Sequence, residues 1–289
     1  MKKCVIAVDM GGTYIKYGVV SENGELLSIG KTPARSSDPR EVLLDRLCGA
    51  IRELKNRVQN EGFLLCGIAE SAPGPFDYAA GKSGMKGKYD SIFGIDLREE
   101  FRARAGLDCN IPIEFMQDAA AFLLGEYYGG AARGFKNCAC VTLGTGLGYA
   151  LMHNGKMLLN ERGGPYFVLA FSPYRDTDKR MEDIVSGTAI LKNYGVDAKT
   201  LADKAYAGDA EAICAYSEMG QVLGEALSKI PEIKGVDRII IGGQIARSLD
   251  LMEKSLSDGL KLPIEICEAQ YPEGAALIGA ASVIFEFKE

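Results

Sequence analysis

The first residues with a chemically suggestive spacing are Asp9, Gly11, Gly12 and Thr13, which separate two apolar, β-rich runs near the start of the chain. This pattern predicts a strand, a tight glycine turn and a returning strand. Glycine amides in such a turn are not screened by side chains, so they can form a concave nest of N–H donors that suits a phosphate. Asp9 ends the first strand and could hold a hydrated Mg²⁺, the usual companion of a transferred phosphoryl group. The same residues are also compatible with an ordinary hairpin that has a polar tip.

A second hairpin of this kind is built around Thr142, Gly144, Thr145 and Gly146, again between two apolar runs. Two such hairpins far apart in one chain indicate a duplicated domain. Two similar sheets that face one cleft can grip a nucleotide from both sides. The pair of turns therefore indicates nucleotide binding more strongly than either turn alone.

Polar or sterically special residues also follow two other predicted strands. Asp118 lies at a strand-to-helix junction, where an acid can also serve as a plain helix N-cap. The loop after the strand at residues 62–69 contains Ser71, Gly74 and Pro75. Open α/β sheets bind ligands at the carboxyl ends of their strands, although a plain connection fits this loop equally well.

Gly242 and Gly243 follow the buried strand predicted over residues 236–241 and precede a predicted helix. A bare helix N-terminus of this kind favours an anion or a planar base that approaches the backbone. A simple tight connection between strand and helix is the alternative.

The composition narrows the class of protein. Apolar residues make up 47% and charged residues 25%, which is typical of a globular protein, and a net charge of −6 with both signs interspersed argues against a nucleic-acid partner. No apolar run approaches the roughly 20 residues that span a bilayer. No secretory leader pattern precedes the first strand. We therefore expect a cytoplasmic protein that binds neither nucleic acid nor a membrane.

The eight cysteines are scattered, mostly in apolar runs, which is typical of reduced thiols in a cytoplasmic protein. Cys138 and Cys140 resemble a metal-binding pair, but they alternate on a predicted strand. The only histidine, His153, falls in the turn that follows. Structural zinc requires four ligands at closed spacing, so we predict no zinc site.

The elements that position these residues follow from apolar periodicity and from turn residues. Strands are predicted at residues 4–8, 14–20, 25–32, 62–69, 111–116, 236–241 and 264–268, besides the second hairpin. Helices are predicted after Pro39, at 97–105, from the alanines after Asp118 through Tyr128, at 198–207 and 210–230, and after Gly274. Residues 78–96 have weak periodicity and are predicted to form a long functional loop.

With these pieces in place, the chain resembles the ROK family of sugar kinases and sugar-responsive regulators, within the actin-like ATPase class. The resemblance covers nearly the whole length. ROK repressors carry a helix-turn-helix ahead of the first strand, and here the first strand begins at residue 4, so we expect a kinase rather than a regulator. The motifs that carry the resemblance are residues 9–13, 72–77, 117–119, 143–148, 186–189 and 241–243.

The resemblance implies an α/β fold of two ribonuclease-H-like domains with a cleft between them. We expect a small N-terminal domain at residues 1–117 and a larger domain at residues 118–272. The C-terminal helix, at about residues 273–289, is expected to pack back on the first domain. The implied function is an ATP-dependent sugar kinase for a hexose, an amino sugar or a glycoside, with ATP and Mg²⁺ as cofactors, and a homodimer is a family expectation.

In the family, the acid that matches Asp118 is the general base for the sugar hydroxyl. The resemblance also implies that Mg²⁺ binds near Asp9 and that Gly242 and Gly243 lie beside the adenosine. The residues implied to contact the phosphates of ATP are Asp9, Gly11, Gly12, Thr13, Thr142, Gly144, Thr145 and Gly146. The residues implied to contact the sugar are Ser71, Gly74, Pro75, Gln117, Asp118, Glu161 and Glu182.

The chain departs from the family pattern around the sugar. Gln117 replaces the usual asparagine, so its amide reaches one methylene further. The family's Glu-x-Gly-His motif has Glu161, Arg162, Gly163 and Gly164 as its candidate remnant, with glycine in place of histidine. The zinc cysteines that follow in the family are absent, whereas Glu182 matches the final glutamate. These departures predict a zinc-free member with an altered sugar pocket.

Two other functions remain open at this stage. A non-catalytic sugar or nucleotide sensor could keep the fold after losing the histidine and zinc, although such a protein needs neither Asp118 nor two phosphate turns. An actin-like ATPase acting on a protein partner is disfavoured by the loop at residues 72–77 and by Glu182, which belong to the sugar-kinase pattern.

Overall fold

The computed structural model describes residues 2–285 and Phe287. The strands are β1 (Lys3–Met10), β2 (Tyr14–Ser21), β3 (Leu26–Pro33), β4 (Leu64–Ala72), β5 (Phe76–Asp77), β6 (Lys82–Ser83), β7 (Ile113–Gln117), β8 (Cys138–Leu143), β9 (Leu147–His153), β10 (Lys156–Met157), β11 (Arg238–Gly242) and β12 (Glu265–Glu268). The α-helices are α1 (Arg40–Asn60), α2 (Leu97–Ala105), α3 (Asp118–Gly129), α4 (Gly187–Tyr194), α5 (Ala198–Tyr206), α6 (Ala210–Ser228), α7 (Glu253–Leu260) and α8 (Ala275–Ala281). No helix within the described residues is both long enough and apolar enough to span a membrane.

The chain forms two compact units. The first comprises Met1–Arg133, Leu159–Pro165 and Glu273–Glu289, and the second comprises Gly134–Leu158 and Tyr166–Pro272. The helix that starts at Asp118 therefore belongs to the first unit, whereas the predicted boundary after residue 117 assigned it to the second. The physical reason is that α3 packs against α8 within the first unit.

The sheet of the first unit has the strand order β3-β2-β1-β4-β7. β1, β2 and β3 pair antiparallel, whereas β1, β4 and β7 are parallel. β1 is apolar from Cys4 to Val8 and buried throughout that run, as expected for a central strand that is covered on both faces. Its side chains at Ile6 and Val8 belong to the same core as Leu43 and Leu47 of α1.

The sheet of the second unit repeats this arrangement, with the strand order β10-β9-β8-β11-β12. β8 and β9 form the antiparallel hairpin, while β11 pairs parallel with both β8 and β12. A separate apolar core lies between this sheet and helices that include α6 and α7. Each unit therefore places a glycine hairpin and parallel strands at corresponding positions, as the repeated sequence pattern predicts.

Small residues let α8 approach α3 closely, as its sequence predicts. A Cβ atom on Gly279 would collide with the backbone carbonyl of Ala121, and one on Gly125 would collide with the carbonyl of Ala275. Leu277 of α8 also packs on the first sheet. A Cβ atom added to Gly18 of β2 would lie only 3.2 Å from the Cδ1 atom of Leu277. The two helices thus pack backbone to backbone.

Two local predictions need correction. The helix predicted after Gly243 is a 3₁₀ helix at Ile245–Leu251, with Ser248 outside helical geometry at φ −121° and ψ 34°. The predicted loop at residues 78–96 contains β6 and a short 3₁₀ turn at Asp90–Ile92. Neither element has enough residues to produce a readable apolar period, so sequence periodicity could not detect them.

Candidate functional site

The carboxyl ends of β1, β4 and β7 bring three of the predicted residues onto one edge of the first sheet. In the parallel registers Asp9 pairs with Ser71, and Ala72 pairs with Gln117. The Ser71 hydroxyl donates a hydrogen bond of 2.9 Å to Oδ1 of Asp9. Three segments that are far apart in sequence are therefore joined by parallel strand pairing, and Asp118 follows directly on the third strand.

Asp118 is the first residue of α3, and Gln117 occupies the N-cap position without a side-chain cap. The N-cap interpretation of Asp118 is therefore wrong by one position. Its Oδ1 accepts a hydrogen bond of 2.8 Å from the Ala119 amide. Burial raises the pKa of Asp118 to about 6, with a further rise from Asp9, while the Ala119 amide and Lys88 oppose it. The group can therefore exchange a proton near neutral pH, which a general base must do.

The charges around Asp9 favour a nearby cation. Burial raises its pKa, whereas Lys16, directly across the hairpin, and the Ser71 hydroxyl lower it. An ionised Asp9 thus depends on nearby positive charge. Magnesium is commonly held through one or two carboxylates together with substrate phosphates and water, so a single half-buried carboxylate beside a glycine turn fits this ion.

The first turn is held by a tyrosine that sequence reasoning missed. The hydroxyl of Tyr89 donates a hydrogen bond of 2.7 Å to the carbonyl of Gly11. The amide of Gly11 donates to the Asp9 carbonyl at 3.1 Å, so this amide is used inside the turn. A Cβ on Gly11 would lie 2.5 Å from the Tyr14 carbonyl oxygen, which requires glycine here. Gly12 and Thr13 are exposed at the tip, where a phosphate can reach the backbone.

The loop after β4 lies beside the candidate base. The hydroxyl of Tyr78 donates to the Ala72 carbonyl at 3.1 Å, and its pKa is raised well above the usual range by burial and by Asp118. Gly74 and Pro75 are exposed next to it, and the Gly84 amide donates to the Pro75 carbonyl at 3.0 Å. The predicted sugar loop is therefore ordered on the same unit as Asp118.

The segment containing Glu161 also belongs to the first unit. Oδ1 of Asn160 accepts hydrogen bonds from the amides of Arg162 and Gly164, which closes a tight turn and leaves Glu161 exposed. The Arg162 carbonyl accepts a hydrogen bond from the Ala79 amide at 3.3 Å. This turn thereby places Glu161 beside the loop that follows β5.

The second glycine turn is held by a different set of residues within the second unit. The amide of Gly144 donates to the Gly146 carbonyl at 3.1 Å. The Gly144 carbonyl accepts a bond of 2.7 Å from the Gly187 amide, and the Thr145 carbonyl accepts one of 2.7 Å from the Thr188 hydroxyl. The start of α4 therefore fixes the turn, which explains the place of residues 186–189 among the motifs.

Glu182, Gly242 at the end of β11 and Gly243 after it border the same turn. Oε1 of Glu182 accepts a hydrogen bond of 3.2 Å from the amide of Leu147. Gly242 pairs with Thr142, and Gly243 adopts φ +87° where a Cβ would collide with the Leu143 carbonyl. Glu182 thus supports the second hairpin directly, a structural role that the sequence did not predict, and its predicted sugar contact stays a prediction.

Glu70 is a second feature that sequence reasoning missed. It is fully buried on β4, and neither carboxylate oxygen has a hydrogen-bond partner among the described residues. Burial, and secondly the charge of Asp9, raise its pKa well above the ordinary value. The strand predicted from the sequence ends at residue 69, which puts Glu70 in the following loop, so nothing marked it as buried and unpaired.

We expect the substitution Glu70→Gln to raise stability at pH 7 by about 1 to 3 kcal/mol, because a buried carboxylate without partners is costly when ionised. The folded-state pKa lies above the unfolded value, so wild-type stability falls as pH rises from the unfolded pKa through the folded one. The gain should therefore shrink towards pH 4. Urea denaturation at several pH values measures it.

Glu114→Gln is the matched control for this experiment, because Glu114 lies on the neighbouring strand β7 with its side chain 49% exposed. It should leave stability nearly unchanged at every pH. A gain from Glu70→Gln that does not vary with pH would contradict the charge explanation.

Comparison with known proteins places these features in a family. A family model described as "ROK family" matches residues 5–164 and 177–286. The matched part ends at Gly164, in the turn that contains Glu161, and resumes ahead of Glu182. The interruption coincides with the region in which the sequence departs from the family pattern.

Individual relatives cover nearly the full chain. A glucokinase from Thermotoga maritima is 27% identical over 317 residues, spanning 98% of this chain and 97% of the relative. An N-acetylmannosamine kinase from Yersinia pestis is 26% identical over 299 residues, spanning 96% of each.

Among solved structures, a ROK family glucokinase from Streptomyces griseus in complex with glucose and AMPPNP superposes with a TM-score of 0.80 at 24% identity, covering 97% of this chain and 98% of that one. This likeness, together with the repeated sheets, confirms the predicted α/β fold of two ribonuclease-H-like domains of the actin-like ATPase class.

Proposed function

The chain belongs to the ROK family, and from that premise we propose that it is an ATP-dependent sugar kinase. It transfers the γ-phosphoryl group of ATP to a hydroxyl of a hexose, an amino sugar or a glycoside. The relatives named glucokinase and N-acetylmannosamine kinase support this substrate class. The single observation that carries the proposal is the position of Asp118, a half-buried carboxylate with a pKa near neutrality at the edge of the sheet that bears the first glycine turn.

Asp118 acts as the general base. A sugar hydroxyl attacks phosphorus poorly while it keeps its proton, and a carboxylate within hydrogen-bond reach can accept that proton as the new O–P bond forms. The Ala119 amide donates to Oδ1, so we assign Oδ2 as the oxygen that accepts the proton. The proton moves from the hydroxyl to Asp118, and the bond between the γ-phosphorus and the leaving oxygen of ADP breaks.

The phosphates of ATP bind to the two glycine turns. On the first unit the contacts come from Gly12 and Thr13, with Gly11 shaping the turn; on the second they come from Thr142, Thr145 and Gly146, with Gly144 in the same role. Gly242 and Gly243 meet the adenosine. Asp9 would hold Mg²⁺, and the bound ion would neutralise charge on the phosphate oxygens.

The sugar binds to residues around Asp118. On the first unit we assign the sugar contacts to Ser71, Gly74, Pro75 and Gln117, together with the exposed carboxylate of Glu161. Glu182, on the second unit, is the remaining candidate. Gln117 reaches further than asparagine, and Gly164 carries no side chain, so the pocket differs from that of family members with asparagine and histidine there. We therefore propose a sugar with an altered substituent pattern, without assuming glucose.

The test is ADP release from ATP and Mg²⁺ across a panel of hexoses, amino sugars and glycosides, with phosphorylated product identified by mass spectrometry. Sugar-dependent ADP release with a matching product supports the kinase. Sugar binding by calorimetry without turnover on any member of the panel would instead favour the sensor.

We expect the rate to depend on pH through Asp118. Since the ionised form accepts the proton and the pKa of this group in the free enzyme is about 6, kcat/KM should fall about tenfold for each pH unit below that value. Measuring kcat/KM from pH 4.5 to 8.5 with the best sugar tests this fall on the acid side. A rate that stays flat to pH 4.5 would contradict the assignment.

A further inference from the structure

The loop between β6 and α2 presents two lysines close to the first glycine turn. Lys86, Gly87 and Lys88 are exposed, whereas the flanking residues Met85 and Tyr89 are buried. Tyr89 has a left-handed backbone at φ 56° and donates its hydroxyl to the Gly11 carbonyl at 2.7 Å. The tip of the loop is thus tied to the turn that bears Asp9.

Lys88 has a specific electrostatic neighbour. Its ammonium group acts on the Asp118 carboxylate and favours the ionised form. Lys88 has no ion pair within 4.0 Å in the part of the chain that the structure describes. Lys88 is therefore an exposed cation next to Tyr89, which is bonded to the first turn, and its charge reaches the candidate base. Such a cation is available for an anion that arrives with the substrates.

The charges on this edge of the sheet explain why a cation would be useful there. Asp9 raises the pKa of Asp118, as expected for two carboxylates on the same edge of the sheet. A transferring phosphoryl group spreads negative charge over its equatorial oxygens and needs positive charge close to them. Lys16 faces Asp9 and lies 3.4 Å from Glu273, which leaves Lys88 as the lysine beside Asp118.

We propose that Lys88 binds the transferring phosphoryl group and is a catalytic residue of the reaction, an inference that rests on the proposed kinase function. Its ammonium contacts an oxygen of the phosphoryl group while the sugar oxygen, deprotonated by Asp118, attacks phosphorus. Lys88 forms no covalent bond and gives up no proton. It lowers the barrier by meeting charge at the atoms that react.

Lys86 provides a matched control on the same loop. It is equally exposed and two residues away, but its ammonium lies 4.9 Å from the centre of the Phe93 ring. Substitution of Lys86 therefore changes the charge of the loop by the same amount without removing the proposed contact.

The experiment compares wild type with Lys88→Met, Lys88→Arg and Lys86→Met, by steady-state kinetics with the best sugar and by calorimetric binding of the sugar phosphate product. For Lys88→Met we expect kcat to fall about 30- to 100-fold, somewhat less than for loss of a fully buried transition-state donor. The KM for the sugar should change little, and the product should bind more weakly. Lys88→Arg should keep most of the activity, and Lys86→Met all of it.

The outcomes separate the two proposals. If wild type turns over a sugar and Lys88→Met matches Lys86→Met in both kcat and product affinity, the role of Lys88 is wrong while the kinase stands. If wild type phosphorylates no sugar at all, the kinase proposal itself is overturned. We expect the Lys88 variants to keep the melting temperature of wild type, since the Lys88 side chain is exposed. A lower kcat in these variants would then not result from unfolding.

Discussion

Asp118→Asn is expected to lower kcat by about 10²- to 10⁴-fold with the best sugar, the range typical for loss of a positioned general base. Asparagine keeps the shape of the side chain and its Oδ1 can still accept the Ala119 amide, so α3 should begin as before. It cannot accept a proton at neutral pH. Sugar and nucleotide affinities should therefore remain close to those of wild type. Steady-state kinetics and calorimetry on the same preparations measure both quantities.

Glu114→Gln serves as the control here too, because it removes a carboxylate from the exposed side of the strand that leads into Asp118. We expect unchanged kcat and KM. Equal activity of wild type and Asp118→Asn on the best sugar would refute the role of Asp118 as the base. A variant that loses sugar binding along with kcat would point instead to a positioning role.

The hairpins could be predicted because their information is local. An apolar run, an acid, two glycines and a second apolar run are contiguous at residues 4–20, and Gly11 is required by contacts within its own turn. The approach of Asp9, Ser71 and Gln117 could also be anticipated, since the carboxyl ends of parallel strands meet at one edge of a sheet. What remained to be seen was the register that pairs Asp9 with Ser71.

The supporting residues could not be predicted, because their roles depend on distant partners. Tyr89 reaches Gly11 across 78 positions, and Glu182 reaches Leu147 across 35. Lys88 lies in a loop without periodicity, where nothing in the sequence indicates which way a lysine points. Glu70 is similar, because the predicted strand ends one residue before it, whereas the observed strand β4 continues through Ala72 and buries it.

The boundary between the units illustrates the same limit. Asp118 follows directly on β7, and the residues after it predict a helix. The sequence does not indicate against which sheet this helix packs. The contact that decides it joins Gly125 to Ala275, which are 150 positions apart in the chain. A helix assigned by sequence order thus belongs, by packing, to the unit that precedes it.

That packing contact supports the prediction with the largest effect on stability. Gly279→Ala should destabilise the first unit by about 3 kcal/mol, because overpacking a tight contact forces backbone shifts. The new methyl group would collide with the Ala121 carbonyl and lie 2.8 Å from the Gly125 amide nitrogen, and neither backbone atom can rotate away. At this size of unit the change corresponds to roughly 6 to 12 °C in melting temperature.

Gly49→Ala is the matched substitution, since Gly49 lies inside α1 and an added Cβ would meet no atom within 4 Å. Because alanine loses less backbone entropy in a helix than glycine, this variant should gain about 0.5 to 1 kcal/mol. Thermal and urea denaturation followed by circular dichroism measure the pair. If Gly279→Ala proved as stable as wild type, the close backbone approach of α8 to α3 would be wrong, and with it the assignment of α3 to the first unit. Opposite signs for one chemical change at two helical glycines would show that packing, rather than helix propensity, decides the cost at α8.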